Sequence, residues 1–491
     1  MKDISARSAN APMQPRQRDL TQGPIGRTLL AFAVPTLASS VLQSLNGSVN
    51  AIWIGRFLGE DALAAATNGN IVMFLLVAFV FGFGMAATII IGQAFGRRDL
   101  TLARRTVGTA VGAGVVAATI MAVLGWFVSP WLLGLMGTPG SVAPLALAYL
   151  RMIFVAMPPM MVTTIIMMAL RGGGDALTPM WFMALTVVID IALNPLLIAG
   201  IGPFPALGIA GSALATVIAG YVGLMAMLFF IYARDLPLRL RGPELRYLVP
   251  ARDLIPVIVR KGVPIGLQMI VISSSALAML GLVNREGVMT VAAYGVAQQL
   301  WTYVQMPAMA LGAAVSAMAA QNIGAGRWER VSRITGRGVV YNLAMTGALV
   351  ALLTLFDRPA LALFLGTDSP AIPIGQHIHL LATWSFIMFG VTLVLFGTVR
   401  ANGEVVGPLI ILFIGMYPVR LGLAVAAYPR FGADALWLSF PAGSLFIVCA
   451  AWLLYRYGKW RSTDLVPPDE DELREEAMAA CEPGGAISPS G

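Results

Sequence analysis

The chain has 491 residues, of which 58% are hydrophobic and only 11% charged, with a formal net charge of +8. Soluble domains carry about 25% charged residues, so a soluble globular protein is excluded. The pI of about 9.8 does not signal a nucleic-acid partner, because the Arg residues stand at the ends of apolar runs rather than in one basic patch.

Residues 1–27 are polar and mix acidic with basic side chains. They have no apolar core ahead of a small-residue cleavage site, so they read as a cytoplasmic N-terminal tail and not a signal peptide. Beyond them come uncharged runs such as 62–96, 106–150 and 191–233. About 20 apolar residues span a bilayer, so the two longer runs hold two spans each. The pattern predicts an all-α polytopic membrane protein with twelve transmembrane helices, at 28–56, 62–92, 104–128, 143–169, 177–200, 207–233, 254–283, 288–322, 332–356, 371–399, 405–428 and 433–456. They divide into an N-lobe (28–233, helices 1–6), a basic cytoplasmic linker (234–253) and a C-lobe (254–457, helices 7–12). Residues 458–491 are acidic and end in Gly, Pro and Ser, which predicts a mostly disordered cytoplasmic tail.

Lys and Arg fix the orientation. With the N-terminus inside, the outer side holds only Arg56, Arg285, Arg358 and Arg430, while Arg151 and Arg420 fall within spans. The excess of basic residues on the other side puts both termini in the cytoplasm and the chain in the inner (plasma) membrane.

The chain also repeats itself. Pro35 matches Pro264, Gly84 matches Gly312, Gln93 and Gly96 match Gln321 and Gly324, and Arg171 and Pro179 match Arg400 and Pro408, at offsets of 228–229 residues. Six helices per copy return the chain to the same side. Two parallel repeats therefore surround a central cleft, related by a pseudo-two-fold axis along the membrane normal.

Asp190 is the one carboxylate inside a predicted span; every other Asp or Glu lies at a span end, in a loop or in a tail. A charge at the bilayer centre costs roughly 2.5–3.5 kcal/mol even on insertion scales, and chains that retain one use it to carry a proton or a cation. Thr186, Asp190 and Asn194 share a face of the fifth helix, and Ser39, Gln43, Asn46 and Asn50 share a face of the first. At 1.5 Å per residue Asp190 lies roughly 22 Å from Asp175 at the inner end. Asn50, Asn194 and Asp190 together would make a polar ion-coupling pocket in the outer half of the N-lobe. Desolvation favours the neutral acid, so Asp190 can load a proton; holding a monovalent metal ion with the Asn50 and Asn194 oxygens is the other use, and the residues do not separate the two. The other candidates, for the substrate cleft, are Gln43, Asn46, Gln268, Gln298, Trp301 and Tyr303. Pro35 and Pro264 lie inside their helices, where each frees a carbonyl and permits a bend; they are the candidate hinges.

Cys449 and Cys481 are far apart and His377 and His379 are the only histidines, so neither a disulfide framework nor a metal site is expected, and no cofactor. Paired acids or a nucleophile with a base are missing from the spans, which argues against an intramembrane enzyme. No Lys closes a Gly-rich phosphate loop, which argues against an ATP-driven pump.

Several stretches taken in order, Asn50-Ala-Ile-Trp-Ile-Gly-Arg-Phe-Leu-Gly59, Gly92-Gln-Ala-Phe-Gly96, Tyr149-Leu-Arg151, Leu170-Arg-Gly-Gly-Gly-Asp175, Leu193-Asn-Pro-Leu-Leu-Ile198 and Ala206-Leu-Gly-Ile-Ala-Gly-Ser-Ala213, resemble the multidrug and toxic compound extrusion (MATE) transporters from about Thr28 to Trp460. The resemblance implies a twelve-helix, two-lobed exporter of organic cations and other drugs in exchange for protons or sodium ions, working as a monomer. Many members carry an Asp where this chain has Asn50, and an Asn followed by an Asp where it has Asp190 followed by Asn194. Members that bind sodium in the C-lobe use a Glu in the seventh helix and an Asp in the tenth; here Gln268 stands near the first and 371–399 has no acid. Coupling is therefore expected at Asp190, with protons favoured. A lipid-linked saccharide flippase of the same wider superfamily is the alternative reading.

Overall fold

The computed structural model describes residues 19–135, 142–201 and 205–462. The structure is helical throughout, and among the described residues eleven helices are long and apolar enough to cross a membrane, with a bent pair making a twelfth. In the N-terminal half these are α1 (Ile25–Gly59), α2 (Val72–Arg97), α3 (Leu100–Gly134), α4 (Ala143–Gly172), α5 (Leu177–Ala199) and α6 (Ile209–Ala233). In the C-terminal half they are α7 (Leu254–Glu286), α8 (Val288–Gly324), α9 (Trp328–Leu355), α10 (Ala371–Thr383 with Ser385–Ala401), α11 (Val406–Phe431) and α12 (Asp434–Tyr457). Each expected span has its helix, because span length and apolarity are local properties that no packing arrangement removes.

Four features depart from the expected outline. Helical hydrogen bonding runs from Ile25 to Arg97 and is turned over at Gly59, whose φ of 81° and ψ of −169° are open to glycine alone. A short helix, Asp357–Leu365, fills the connection after α9. The tenth span is not one straight rod: its two parts meet at 40°, where residues His379–Thr383 form a π turn. A second π turn, Gly415–Leu421, interrupts α11.

The N-terminal segment and the linker are also more ordered than tails and connectors need be. The backbone of Leu20 is bonded on both sides, its N–H to Gln321 Oε1 (3.1 Å) and its carbonyl to Asn322 Nδ2 (3.1 Å). In the linker, Leu236, Leu238 and Leu240 are buried, and Arg104 of α3 donates to the Pro237 carbonyl (2.8 Å) and to Glu244 (2.6 Å). The expected tails at 1–18 and 463–491 lie outside the described residues.

The hydrogen bonds that join the two halves, among the described residues, gather at one face, where residues 19–23 and 459–462 also lie. There the repeat is visible as chemistry. Gln93 Nε2 donates to the Ala401 carbonyl at 2.8 Å, and Gln321 Nε2 donates to the Gly172 carbonyl at 2.8 Å. These are one contact made twice, by residues 228 and 229 apart in sequence. Gly96 and Gly324 sit in the same seam. A Cβ on Gly96 would overlap the Gln321 carbonyl and lie 2.9 Å from Ala325 N, and a Cβ on Gly324 would overlap the Gln93 carbonyl. This terminal face is closed by backbone against backbone.

Candidate functional site

Three N-lobe helices bring their polar faces together around one carboxylate. Asp190 is 1% exposed and Asn194 is fully buried, one turn apart on α5. Asp190 Oδ2 accepts from Asn46 Nδ2 at 2.7 Å and from Asn50 Nδ2 at 2.9 Å, both on α1. Its Oδ1 accepts from Thr216 Oγ1 of α6 at 3.1 Å and from Asn194 Nδ2 at 3.3 Å. Asn194 Nδ2 also reaches Asn50 Oδ1 at 3.0 Å. An ionised carboxylate has about four acceptor sites, and here four donors meet it. Asn46 and Asn194 each retain a buried amide oxygen with no hydrogen-bond partner. The site can hold a charged carboxylate away from water, take up a proton, or present oxygen atoms to a small cation.

Asn50, Asn194 and Asp190 are thus brought together. Asn46, read as a cleft residue, belongs with them, making the shortest of these bonds. Thr216 was missed: a threonine in an apolar helix carries no signal, since its hydroxyl can bond its own turn, as it does here toward the Ser212 carbonyl at 3.4 Å. Gln43 is exposed on α1. Asp175 is a second buried carboxylate, 4% exposed. It caps the start of α5 through Leu177 N (3.0 Å) and Thr178 N (2.9 Å), as a span-end acid should. Replacing Thr216 by Val keeps the shape and removes one donor to a charged acceptor. The expected loss is about 1.5–3 kcal/mol, read as a lower thermal midpoint in detergent with helix content retained. An unchanged midpoint would mean that the Thr216 hydroxyl contributes nothing to holding Asp190.

The C-lobe candidates separate. Gln298 and Trp301 line a cavity of about 340 Å³ between α7, α8, α10, α11 and α12. Trp301 is 2% exposed and donates to Thr383 Oγ1, in the π turn of α10, at 2.8 Å. Gln268 and Tyr303 stand outside that cavity. Gln268 is buried with its amide donating to the Val405 carbonyl at 2.9 Å, and Tyr303 is 42% exposed, accepting from Gln299. The rotation of each helix about its axis decides this, and a polar residue in a span does not announce which neighbour it meets. Arg420, which sequence left unassigned, lines the cavity and lies over the Phe440 ring at 3.6 Å. Arg151 stacks on Trp126 at 5.0 Å. Pro35 and Pro264 both lie within continuous helix.

The MatE family model matches residues 35–196 and again 264–426. The chain belongs to the MATE family. The double match reproduces the internal repeat, at offsets of 229 residues at its start and 230 at its end. This MATE chain is 35% identical to the probable multidrug resistance protein YoeA of Bacillus subtilis, over 88% of this chain and 93% of that protein. It is 30% identical to the probable multidrug resistance protein YpnP of the same organism, over 91% and 98%. Its fold superposes on a crystal structure of a MATE protein in the straight conformation with a TM-score of 0.83, covering 92% of this chain and 99% of that one at 20% identity. The MATE chain is a multi-pass membrane protein and a transporter rather than an enzyme.

Proposed function

We propose that this MATE chain is a secondary active exporter of small organic molecules, cationic drugs foremost, by exchange against protons, with Asp190 as the coupling group. The observation that carries this reading is the four-donor shell around one buried carboxylate that bridges α1, α5 and α6. The names of the two Bacillus subtilis relatives, both probable multidrug resistance proteins, support the efflux direction.

The shell suggests how a proton would move helices. An ionised Asp190 only accepts; a protonated one carries an O–H donor. A proton on Oδ2 faces the amides of Asn46 and Asn50, and a proton on Oδ1 faces Thr216 and Asn194. Either way the donors aimed at that oxygen must rearrange, an amide of α1 turning over in the first case and Thr216 or Asn194 reorienting in the second, and the contacts of α5 with α1 or α6 change. Bending of α1 at Pro35, matched by Pro264 in α7, would pass that change to the lobe interface. In this reading the basic residues lie on the cytoplasmic side, the closed terminal face is the inner one, and the structure is taken as the inward-sealed state. Alternating access requires the reciprocal Gln93 and Gln321 contacts to break. The protein acts in this reading as a monomer in the plasma (inner) membrane with both termini cytoplasmic.

The orphaned amide oxygens of Asn46 and Asn194 favour a second reading, a sodium ion in place of the proton. Hard monovalent cations take carboxylate and carbonyl oxygens, and this site offers both. Everted membrane vesicles containing the protein separate the readings. They are loaded with a pH-sensitive dye, energised, and given ethidium. Drug-triggered proton release is expected. Drug-dependent sodium movement without it would replace the proton by sodium. No response to either ion across a drug panel would reject drug antiport and favour flipping of a lipid-linked saccharide.

A further inference from the structure

The cavity in the C-lobe occupies the place that the repeat gives to the counterpart of the Asp190 site, and its charge is reversed. Asp190 and Arg420 are 230 residues apart, against 228–229 for the landmarks of the repeat. The π turn Gly415–Leu421 contains Arg420, and its i→i+5 winding takes up one residue more than an α turn. The surroundings correspond as well. Asp190 is met by Asn46 of α1 and Thr216 of α6; Thr216 corresponds to Ser444 of α12 in the cavity lining at an offset of 228, and Asn46 corresponds to Ser275 of α7 at the 229 of Pro35 and Pro264, one residue before Ala276 of the lining.

Arg420 is held there without an acid. Among the described residues no carboxylate pairs with it, and its Nε is buried with no acceptor. The ring of Phe440 beneath it, at 3.6 Å, answers the charge but accepts none of the guanidinium's N–H groups through a lone pair. Gly443 makes room for the side chain: a Cβ there would lie 3.0 Å from Arg420 Cβ. Five donors on a fixed planar fork match a carboxylate in bidentate fashion. The rest of the lining is aromatic or amide. Trp301 packs against Phe440 (5.1 Å) and Phe386 (5.0 Å), and Gln298 and Gln305 also line the space. A cavity of this volume falls within the range that takes drug-sized molecules. Buried charges are paired in proteins, and here the cavity is where a partner would stand.

We infer that the C-lobe cavity binds the carboxylate of an aromatic organic acid or zwitterion, with the anion on the Arg420 guanidinium and the ring system against Trp301 and Phe440. The inference builds on the reading of this chain as an exporter of organic molecules. It assigns the acid-bearing end of such compounds to one residue of the C-lobe, apart from the Asp190 site.

The test is direct binding to the purified, detergent-solubilised full chain by fluorescence anisotropy, without an ion gradient. The probes are a rhodamine dye with a free benzoate and the methyl ester of the same dye, which differ in the negative charge and one methyl group. Arg420→Gln should weaken binding of the free acid at least about tenfold and leave the ester within about twofold, while Arg420→Lys should recover part of the loss. Ester binding reports that each variant is folded. Free-acid affinity that is no higher in the wild type than in Arg420→Gln overturns the inference, and so does an equal loss for acid and ester. Asp190→Asn should leave the preference for the acid over the ester unchanged. A failure of proton coupling is thereby told apart from a failure of this site.

Discussion

Asp190→Asn should reduce drug-triggered proton movement in everted vesicles to the level of vesicles lacking the protein, while the protein still folds and inserts. Asn has the size and shape of Asp but binds no proton and carries no charge at any working pH. Its amide replaces one acceptor oxygen by a donor. That sets N–H against two of the four groups aimed at the site, either Asn46 and Asn50 or Thr216 and Asn194. The asparagine amides can turn over and the Thr216 hydroxyl can rotate to accept, so the fold should lose only about 1–3 kcal/mol. The effect on coupling should be complete, and the effect on stability modest. Retention of stoichiometric proton release by the Asn variant would remove Asp190 from the mechanism. If sodium is the coupling ion, the same variant should abolish drug-dependent sodium movement, because the one formal negative charge of the site is gone.

Gly96→Val should drive the lobes apart at the terminal face and lower drug efflux at least tenfold. The added Cβ would meet the Gln321 carbonyl and Ala325 N, which are backbone atoms of α8 and its end and cannot rotate away. Overpacking a tight seam costs typically 1–3 kcal/mol. The strain exists only where the seam is closed, so the substitution acts as a differential term between two conformations and shifts their populations. Each 1.4 kcal/mol is about a tenfold shift. Gly324→Val should act in the same way through the Gln93 carbonyl, as the pseudo-two-fold relation of the seam requires. Spin labels on Arg98→Cys and Arg337→Cys, in a chain with Cys449→Ala and Cys481→Ala, would report the separation by pulsed electron resonance. A distance distribution that Gly96→Val leaves unmoved would show that this seam does not open during the cycle.

The seam also explains why the repeat matters beyond architecture. Gln93 and Gln321 each complete the last carbonyls of a helix in the opposite half, Ala401 in α10 and Gly172 in α4. The last carbonyls of a helix have no partner of their own, and in a membrane protein they need one. Two such contacts break together when the face opens, which favours an all-or-none transition over gradual loosening.

The apolar spans, their number, the repeat and the buried acid were legible in sequence because each rests on a local physical constraint. A bilayer sets the length of an apolar run, the helix period of 3.6 sets which of Asn46, Asn50, Asp190 and Asn194 share a face, and the cost of a buried charge marks Asp190. The tertiary structure alone decided which polar side chains meet. Thr216 joins the carboxylate because α6 packs on α5 in one particular rotation. Gln268 is turned to the Val405 carbonyl instead of the cavity, while Arg420 is turned into it by a π turn that Pro418 marks only as an irregularity, without saying which way the side chain points. Hydropathy and helical period say what each helix can present. The rotations and crossings of twelve helices, set by close packing over distances that no sequence window covers, decide what is presented to what.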